Sequence, residues 1–141
     1  MTIPVEIISQ DRRVYSGDAD IVVLPGVEGE MGILPNHSPL LTLLQIGIIT
    51  VRAKGEEHFF TVSGGVAEVR PDGVLILANA AEDVHEIIVQ RAEDARRRAE
   101  QMLKEPGVMA KDELFAIQSL LKRSNLRIQA AKRFHKDLRG R

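Results

Sequence analysis

Residues 25–42 read PGVEGEMGILPNHSPLLT, the densest structural instruction in the chain. Gly26, Gly29 and Gly32 supply backbone angles closed to other residues, and Pro25, Pro35 and Pro39 fix φ and delete donors. The stretch is a tightly specified set of turns, with only Met31–Leu34 free to extend between them. A loop shaped this closely presents a surface. Its chemistry is two carboxylates, Glu28 and Glu30, and one imidazole, His37.

Outward from this stretch, the punctuation up to about residue 82 is that of a β protein. Turn signals recur at Gly17, Pro25-Gly26, Gly32, Pro35-Asn36, Gly47, Lys54-Gly55, Gly64-Gly65 and Asp72-Gly73. Spacing of this kind reads as a sandwich or barrel. Between the signals lie β-rich runs at Ile3–Ser9, Asp20–Leu24, Ile46–Ala53, Glu57–Val62, Val66–Arg70 and Val74–Ala78. Several alternate apolar and polar, which buries one face and wets the other. Short loops between consecutive strands predict antiparallel pairing, hence a small antiparallel β-sandwich. Pro71-Asp72-Gly73 predicts a hairpin.

After Ala81 the period moves from two to about three and a half. Ile88, Ala92, Ala95, Ala99 and Met102 form one helical stripe, flanked by a charged face. Pro106-Gly107 stops the helix, and Asp112 is the expected N-cap of a second one. There Leu114, Ile117, Leu121, Ser124, Ile128 and Ala131 form a matching stripe. Two narrow seams and a short linker predict an antiparallel helical hairpin. The fold class is α+β, with a sandwich domain over 1–82 and a hairpin domain over 83–141. Burying alanine contributes far less than burying leucine, so the hairpin is weakly held and a candidate moving part.

Bulk properties narrow the function. The 141 residues are 44% hydrophobic but only 4% aromatic, so Val, Ile, Leu and Ala build the core. No cysteine is present, which removes disulfide, thiolate and Cys-type zinc chemistry. A net charge of −1 exerts no global pull on nucleic acid or anionic lipid. No apolar run reaches bilayer-spanning length, and the N-terminus lacks the pattern of a signal or transit peptide. The glycines at 26, 29 and 32 lack the Gly-Lys-Ser/Thr of a P-loop. His37, His58, His85 and His135 lack metal spacing, and no nucleophile–base motif occurs. The expectation is a non-enzyme without metal or required cofactor. A basic run, Lys122, Arg123, Arg127, Lys132, Arg133, Lys136, Arg139 and Arg141, reads either as a solvated face or as a site for a charged partner.

With Ser63-Gly-Gly-Val-Ala-Glu-Val69 downstream, the 25–42 stretch resembles the epsilon subunit family of F-type ATP synthases, to which the mitochondrial delta subunit is homologous. That family carries an EGE-x-G-I-x-P-x-H-x-P-L-L block followed by a Ser-Gly-Gly strand start, and the resemblance runs over nearly the whole chain. It implies a non-catalytic rotor subunit of the proton-translocating enzyme, peripheral on the cytoplasmic face of the cell membrane and bound to the membrane only through the complex. The partners it implies are the gamma subunit and the c-ring, met through Glu28, Glu30 and His37, and in an extended state the alpha/beta head. No nucleic-acid partner is expected. Inhibition of hydrolysis would fall to the basic face Arg123, Arg127, Lys132 and Arg133. Some members bind regulatory ATP through Ile/Leu-Asp-x-x-Arg-Ala. Here that segment is Ile87-Ile88-Val-Gln-Arg91-Ala92, with Ile88 in place of the Asp; Glu82, Arg91, Arg98, Arg123 and Arg127 stand where the contacts fall. The alternative function is a small nucleotide- or nucleic-acid-binding module with a basic helical hairpin.

Overall fold

The computed structural model describes residues 1–105, 107 and 110–135. The chain divides into two compact units, Met1–Asp83 and Val84–Arg141. The first holds eight strands: β1 Ile3–Ile8, β2 Arg13–Ala19, β3 Ile21–Gly26, β4 Gly29–Ile33, β5 Leu40–Ala53, β6 Glu56–Arg70, β7 Gly73–Ala78 and β8 Ala81–Asp83. Hydrogen bonds run through them in the order β2-β1-β7-β6-β5-β3-β4, with β8 also on β6. Every pair is antiparallel except β1 with β7, where Val5 to Ile8 run parallel to Val74 to Leu77. The short-loop argument constrains only consecutive strands, and these two are not consecutive.

One continuous ladder becomes two layers because β5 and β6 roll over together. Side chains alternate faces along a strand. In β5 the buried positions are Leu44 and then Ile49 and Val51; in β6 they are Phe60 and Val62 and then Ala67 and Val69. Even numbers give way to odd, or odd to even, between paired positions of the two strands, since Leu44 faces Gly65 and Ile49 faces Phe60. The strands therefore pass from one layer to the other at a shared corner. The inner faces on both sides of it feed one core, from Ile3, Val5 and Ile7 through Val22, Leu24 and Ile33 to Val74 and Ile76. On β2, Tyr15 packs against Phe60 of β6 with ring centroids 5.3 Å apart and planes tilted by 58°. Burial, and then the Asp18 carboxylate, push its phenol above the ordinary 10.0.

The corner explains why Gly64-Gly65 is not a chain reversal. Ser63 to Gly65 lie inside β6, with Gly64 at φ 102° and Gly65 at φ 145°. A Cβ on Gly65 would stand 2.3 Å from the Leu77 carbonyl oxygen. Gly17, Gly32 and Gly47 likewise sit inside strands. β7 and β8 continue one register along β6 across Asn79 and Ala80, whose groups bond Gly64 and Ser63. The true reversals are elsewhere. Lys54-Gly55, at φ 53° and 79°, makes the two-residue turn between β5 and β6. Arg70 and Gly73 close the hairpin around Pro71-Asp72. Pro35 with Asn36 at φ 67° turns the chain between β4 and β5, His37 N–H donating to the Leu34 carbonyl at 3.1 Å.

The second unit holds α1 Val89–Lys104 and α2 Lys111–Ala130. Ala92 and Ala99 of α1 and Ile117, Ser124 and Ile128 of α2 are buried, but the ends of both predicted stripes, Met102 and Leu114, are exposed. The N-cap of α2 is Ala110, not Asp112, because Leu114 N–H already closes the first turn on the Ala110 carbonyl. Asp112 serves inside that turn, where a carboxylate meets the helix dipole. Glu105 caps α1; Pro106 of the predicted stop lies outside the described residues. Lys132 Nζ lies 3.7 Å from Glu93 Oε1, so the end of α2 meets the start of α1 and the hairpin is antiparallel.

Gly65→Ala should be among the most damaging single changes in the sandwich. It combines a Cβ–backbone clash with a positive φ, each costing on the order of 1–3 kcal/mol. Urea unfolding should show the midpoint collapsing, whereas Gly55→Ala, with open space around it, should lose far less.

Candidate functional site

The β3–β4 hairpin builds the acidic turn. Gly26 pairs with Gly29 across the two-residue loop Val27-Glu28, and Pro25 pairs with Glu30. A Cβ on Gly26 would meet the Gly29 carbonyl oxygen at 2.8 Å, so only glycine closes the loop this tightly. The turn is tied to its neighbour twice: Gly26 pairs with Leu44 of β5, and Val27 N–H donates to the Leu43 carbonyl at 3.0 Å. Glu28 and Glu30 are both exposed. Glu30 is also on β4, an edge strand of the sheet, where a carboxylate discourages indiscriminate strand pairing. His37 occupies the following turn, half-buried, with Nδ1 2.7 Å from the Ser38 carbonyl oxygen. The structure thus puts the two glutamates on one hairpin and His37 on the next, its Nδ1 engaged by the backbone.

Beside this turn lies a surface that sequence reasoning missed. On the outer face, Leu43 of β5 pairs with Val66 of β6, Val66 with Leu77 of β7, and Leu77 with Ile8 of β1. Leu43 is 60% exposed and Leu77 50%; Leu41, two positions along β5, is 70% exposed. Val27, 51% exposed, is bonded to Leu43 through its backbone, so the apolar row runs into the turn that carries Glu28. Scattered exposed leucines need no explanation, but a contiguous row of them marks an interaction surface. A signal was available. Leu40-Leu-Thr-Leu-Leu44 is apolar on both parities, which a strand wet on one face has no reason to be.

The remaining candidates divide between the two units. Glu82 is on β8, opposite Thr61 of β6. Arg91 and Arg98 directly precede the buried Ala92 and Ala99 on α1; Arg123 and Arg127 directly precede Ser124 and Ile128 on α2. In an antiparallel pair, residues one step before the seam fall on the same flank of both helices. Glu93 and Lys132, each one step after a buried alanine, mark the opposite flank by their ion pair. The four arginines therefore share a flank. Lys132, counted with Arg123 and Arg127 in one basic face, is on the other side. Arg133 is exposed, and Lys136, Arg139 and Arg141 lie outside the described residues. Ile88 is the N-cap of α1, 49% exposed, and provides no side-chain cap. Among the described residues no cluster of His, Cys, Asp and Glu could hold a metal ion, and no helix is long and apolar enough to cross a membrane.

Residues 2–84 match the model of the family described as ATP synthase, Delta/Epsilon chain, beta-sandwich domain. The chain is 41% identical over 134 residues to the ATP synthase epsilon chain of Dehalococcoides mccartyi, covering 93% of each. It is 52% identical over 98 residues to that of Pelotomaculum thermopropionicum, covering 70% of this chain and 73% of the relative. Among solved structures it resembles a chain of the Euglena gracilis mitochondrial ATP synthase, in a structure of its OSCP, F1 and c-ring, with a TM-score of 0.75 at 23% identity over 92% of this chain and 81% of that one. At that identity the likeness speaks to the fold, and the shared fold is a β-sandwich followed by two helices.

Proposed function

The chain belongs to the ATP synthase delta/epsilon family, and on that premise we propose that it is a non-catalytic subunit of the central stalk. The sandwich docks against gamma and the polar loops of the c-ring. The hairpin restrains ATP hydrolysis by extending towards the alpha/beta head. The observation that carries the docking is the continuous outer surface of Glu28, Val27, Leu43, Val66 and Leu77. Apolar side chains exposed to this degree gain about 25 cal/mol per Å² when covered. The carboxylates at one end supply register and specificity more than affinity. In this reading the protein is peripheral to the membrane and held there by the complex. Neither the family match nor a net charge of −1 supports the alternative of a nucleic-acid module.

The hairpin's part rests on its seam. Both buried α1 positions are alanines, and α2 answers with a buried serine between isoleucines. Each methylene buried contributes only about 0.8 kcal/mol, so the hairpin opens at modest cost and a partner at the far end can shift the population. Arg123, Arg127, Lys132 and Arg133 then face an acidic partner surface. Because the four lie on both flanks when folded, they act together only once α2 has left α1.

Two experiments test this reading. In the reconstituted synthase, a chain ending after Asp83, which keeps the whole β8 ladder, should stay bound and coupled while ATP hydrolysis rises. Combining Leu43→Asp with Leu77→Asp should weaken binding to gamma by about tenfold or more. Unchanged hydrolysis with the truncated chain rejects the regulatory role, and unchanged binding of the double variant rejects the docking surface.

Regulatory ATP is the finer proposal for the arginine flank. Arginines meet phosphate through charge-assisted bonds. Ile88 offers the base and ribose no acceptor, so calorimetry should find weak or absent ATP binding, rising on Ile88→Asp. Aspartate at an N-cap also stabilises the helix by about 1 kcal/mol. Ile88→Ser caps without a carboxylate and separates the two effects. Tight binding by the unaltered chain would show that Ile88 is no obstacle.

A further inference from the structure

We infer that Gly47 and Pro25 are positioning residues: their contact is a pivot that aims the acidic turn at its partner. This rests on the docking reading above and assigns the residues that set the turn's direction. β3 and β5 pair in two separate stretches, Ile21 to Val23 with Arg52 to Thr50, and then Gly26 with Leu44. Between them Leu24 and Pro25 stand against Gln45 to Ile49, a large bulge on β5 alone. Pro25 has no N–H to give a ladder, which is one reason the pairing breaks there. β5 meanwhile keeps its pairing with β6 on both sides of Gln45, so the arching segment is held from behind.

The gap is bridged by packing. Pro25 is buried, and a Cβ built on Gly47 would lie 2.7 Å from Pro25 Cβ and 3.2 Å from its Cγ. Real Cβ atoms do not approach so closely, so the β5 backbone rests on the proline ring with no slack. Pro25 is in turn the cross-strand partner of Glu30. Residue 47 therefore reaches Glu30 through a single intermediary, and anything that lifts Pro25 tilts β4 and the Val27-Glu28 loop with it. The hairpin tip, tied down again by Gly26 opposite Leu44 and by the Val27 amide, is a short lever between two fixed points. A methyl at 47 would push on the lever near its base. Pro25 is buried but stands outside the hydrophobic core cluster, so the push should tilt the turn and leave the rest of the domain folded.

The reciprocal swap tests this. Gly47→Ala overfills the contact and Pro25→Gly empties it; together they restore a methyl where the ring was. Binding of the full-length chain to a purified gamma–c-ring subcomplex should fall about tenfold with either single change and return to within about threefold in the double variant, a coupling that independent sites do not show. Hydrogen exchange on the free chain gives the partner-independent readout: the Val27 amide should exchange faster in each single variant and recover in the double, with β6–β7 amides unchanged throughout. Additive losses, or singles that bind like the parent, overturn the pivot. Should Gly47→Ala alone fail to fold, a double variant that folds but neither binds nor protects Val27 overturns it equally. Glu28→Gln with Glu30→Gln in the same assay judges the docking reading itself; if that variant binds normally, the docking reading falls and the Val27 exchange still decides the pivot.

Discussion

The ladder between Leu40–Ala53 and Glu56–Arg70 is the constraint on which the rest of the sandwich depends, because it is the longest pairing and carries both strands from one layer into the other. A sheet with one apolar face has to hide it, and this one does so by bending on itself instead of recruiting a second sheet. Both strands change buried parity at the same rungs, so the bend preserves the ladder while exchanging which side is wet. The backbone at the bend has to take angles and approaches that side chains forbid, and Gly64, Gly65 and Gly47 stand where that demand falls. The corner also determines the outside. Rolling the strands turns Leu41, Leu43 and Val66 outward beside Leu77, and it opens the bulge that seats Pro25.

What was legible in the sequence follows from which features have a single physical cause. Lys54-Gly55 reads as a turn because a glycine between two β-rich runs has little other use, and the structure makes it a hairpin with both residues at positive φ. The helical seams read from periodicity, since buried Ala92, Ala99, Ile117, Ser124 and Ile128 are spaced by the helix itself. Ser63-Gly64-Gly65 was ambiguous: glycine permits both a reversal and a bend within a strand, and only the pairing of β6 with β5, β7 and β8 distinguishes them. β2 was invisible because Arg13-Val-Tyr-Ser-Gly-Asp-Ala19 contains Gly17 and Asp18, poor strand residues held extended by β1. Capping at Ala110 in place of Asp112 shows the weakness of boundary signals when an aspartate can serve one turn further in.

The candidate site was legible in the same uneven way. Glu28 and Glu30 announced themselves through the glycines and prolines that shape their loop. The apolar row did not, since each leucine in Leu40–Leu44 reads singly as core and only the register across β1, β7, β6 and β5 assembles them into a surface. Lys132 was grouped with Arg123 and Arg127 by sequence proximity, and the helix phase separates them. In both units the functional proposal thus rests on residues that the fold leaves uncovered or uncompensated: a leucine row outside the sandwich, an alanine and serine seam inside the hairpin.

The central claim is that the sandwich rides on the rotor through its acidic turn. The chain has no cysteine, so a Glu28→Cys variant carries a single addressable thiol. The most direct measurement is to cross-link that thiol to a cysteine placed in the polar loop of the c-ring and record ATP-driven rotation of the assembled enzyme. The account predicts efficient cross-linking with rotation undiminished, because the two joined parts turn together. Cross-linking that stalls rotation, or a thiol that reaches only the alpha/beta head, would contradict it.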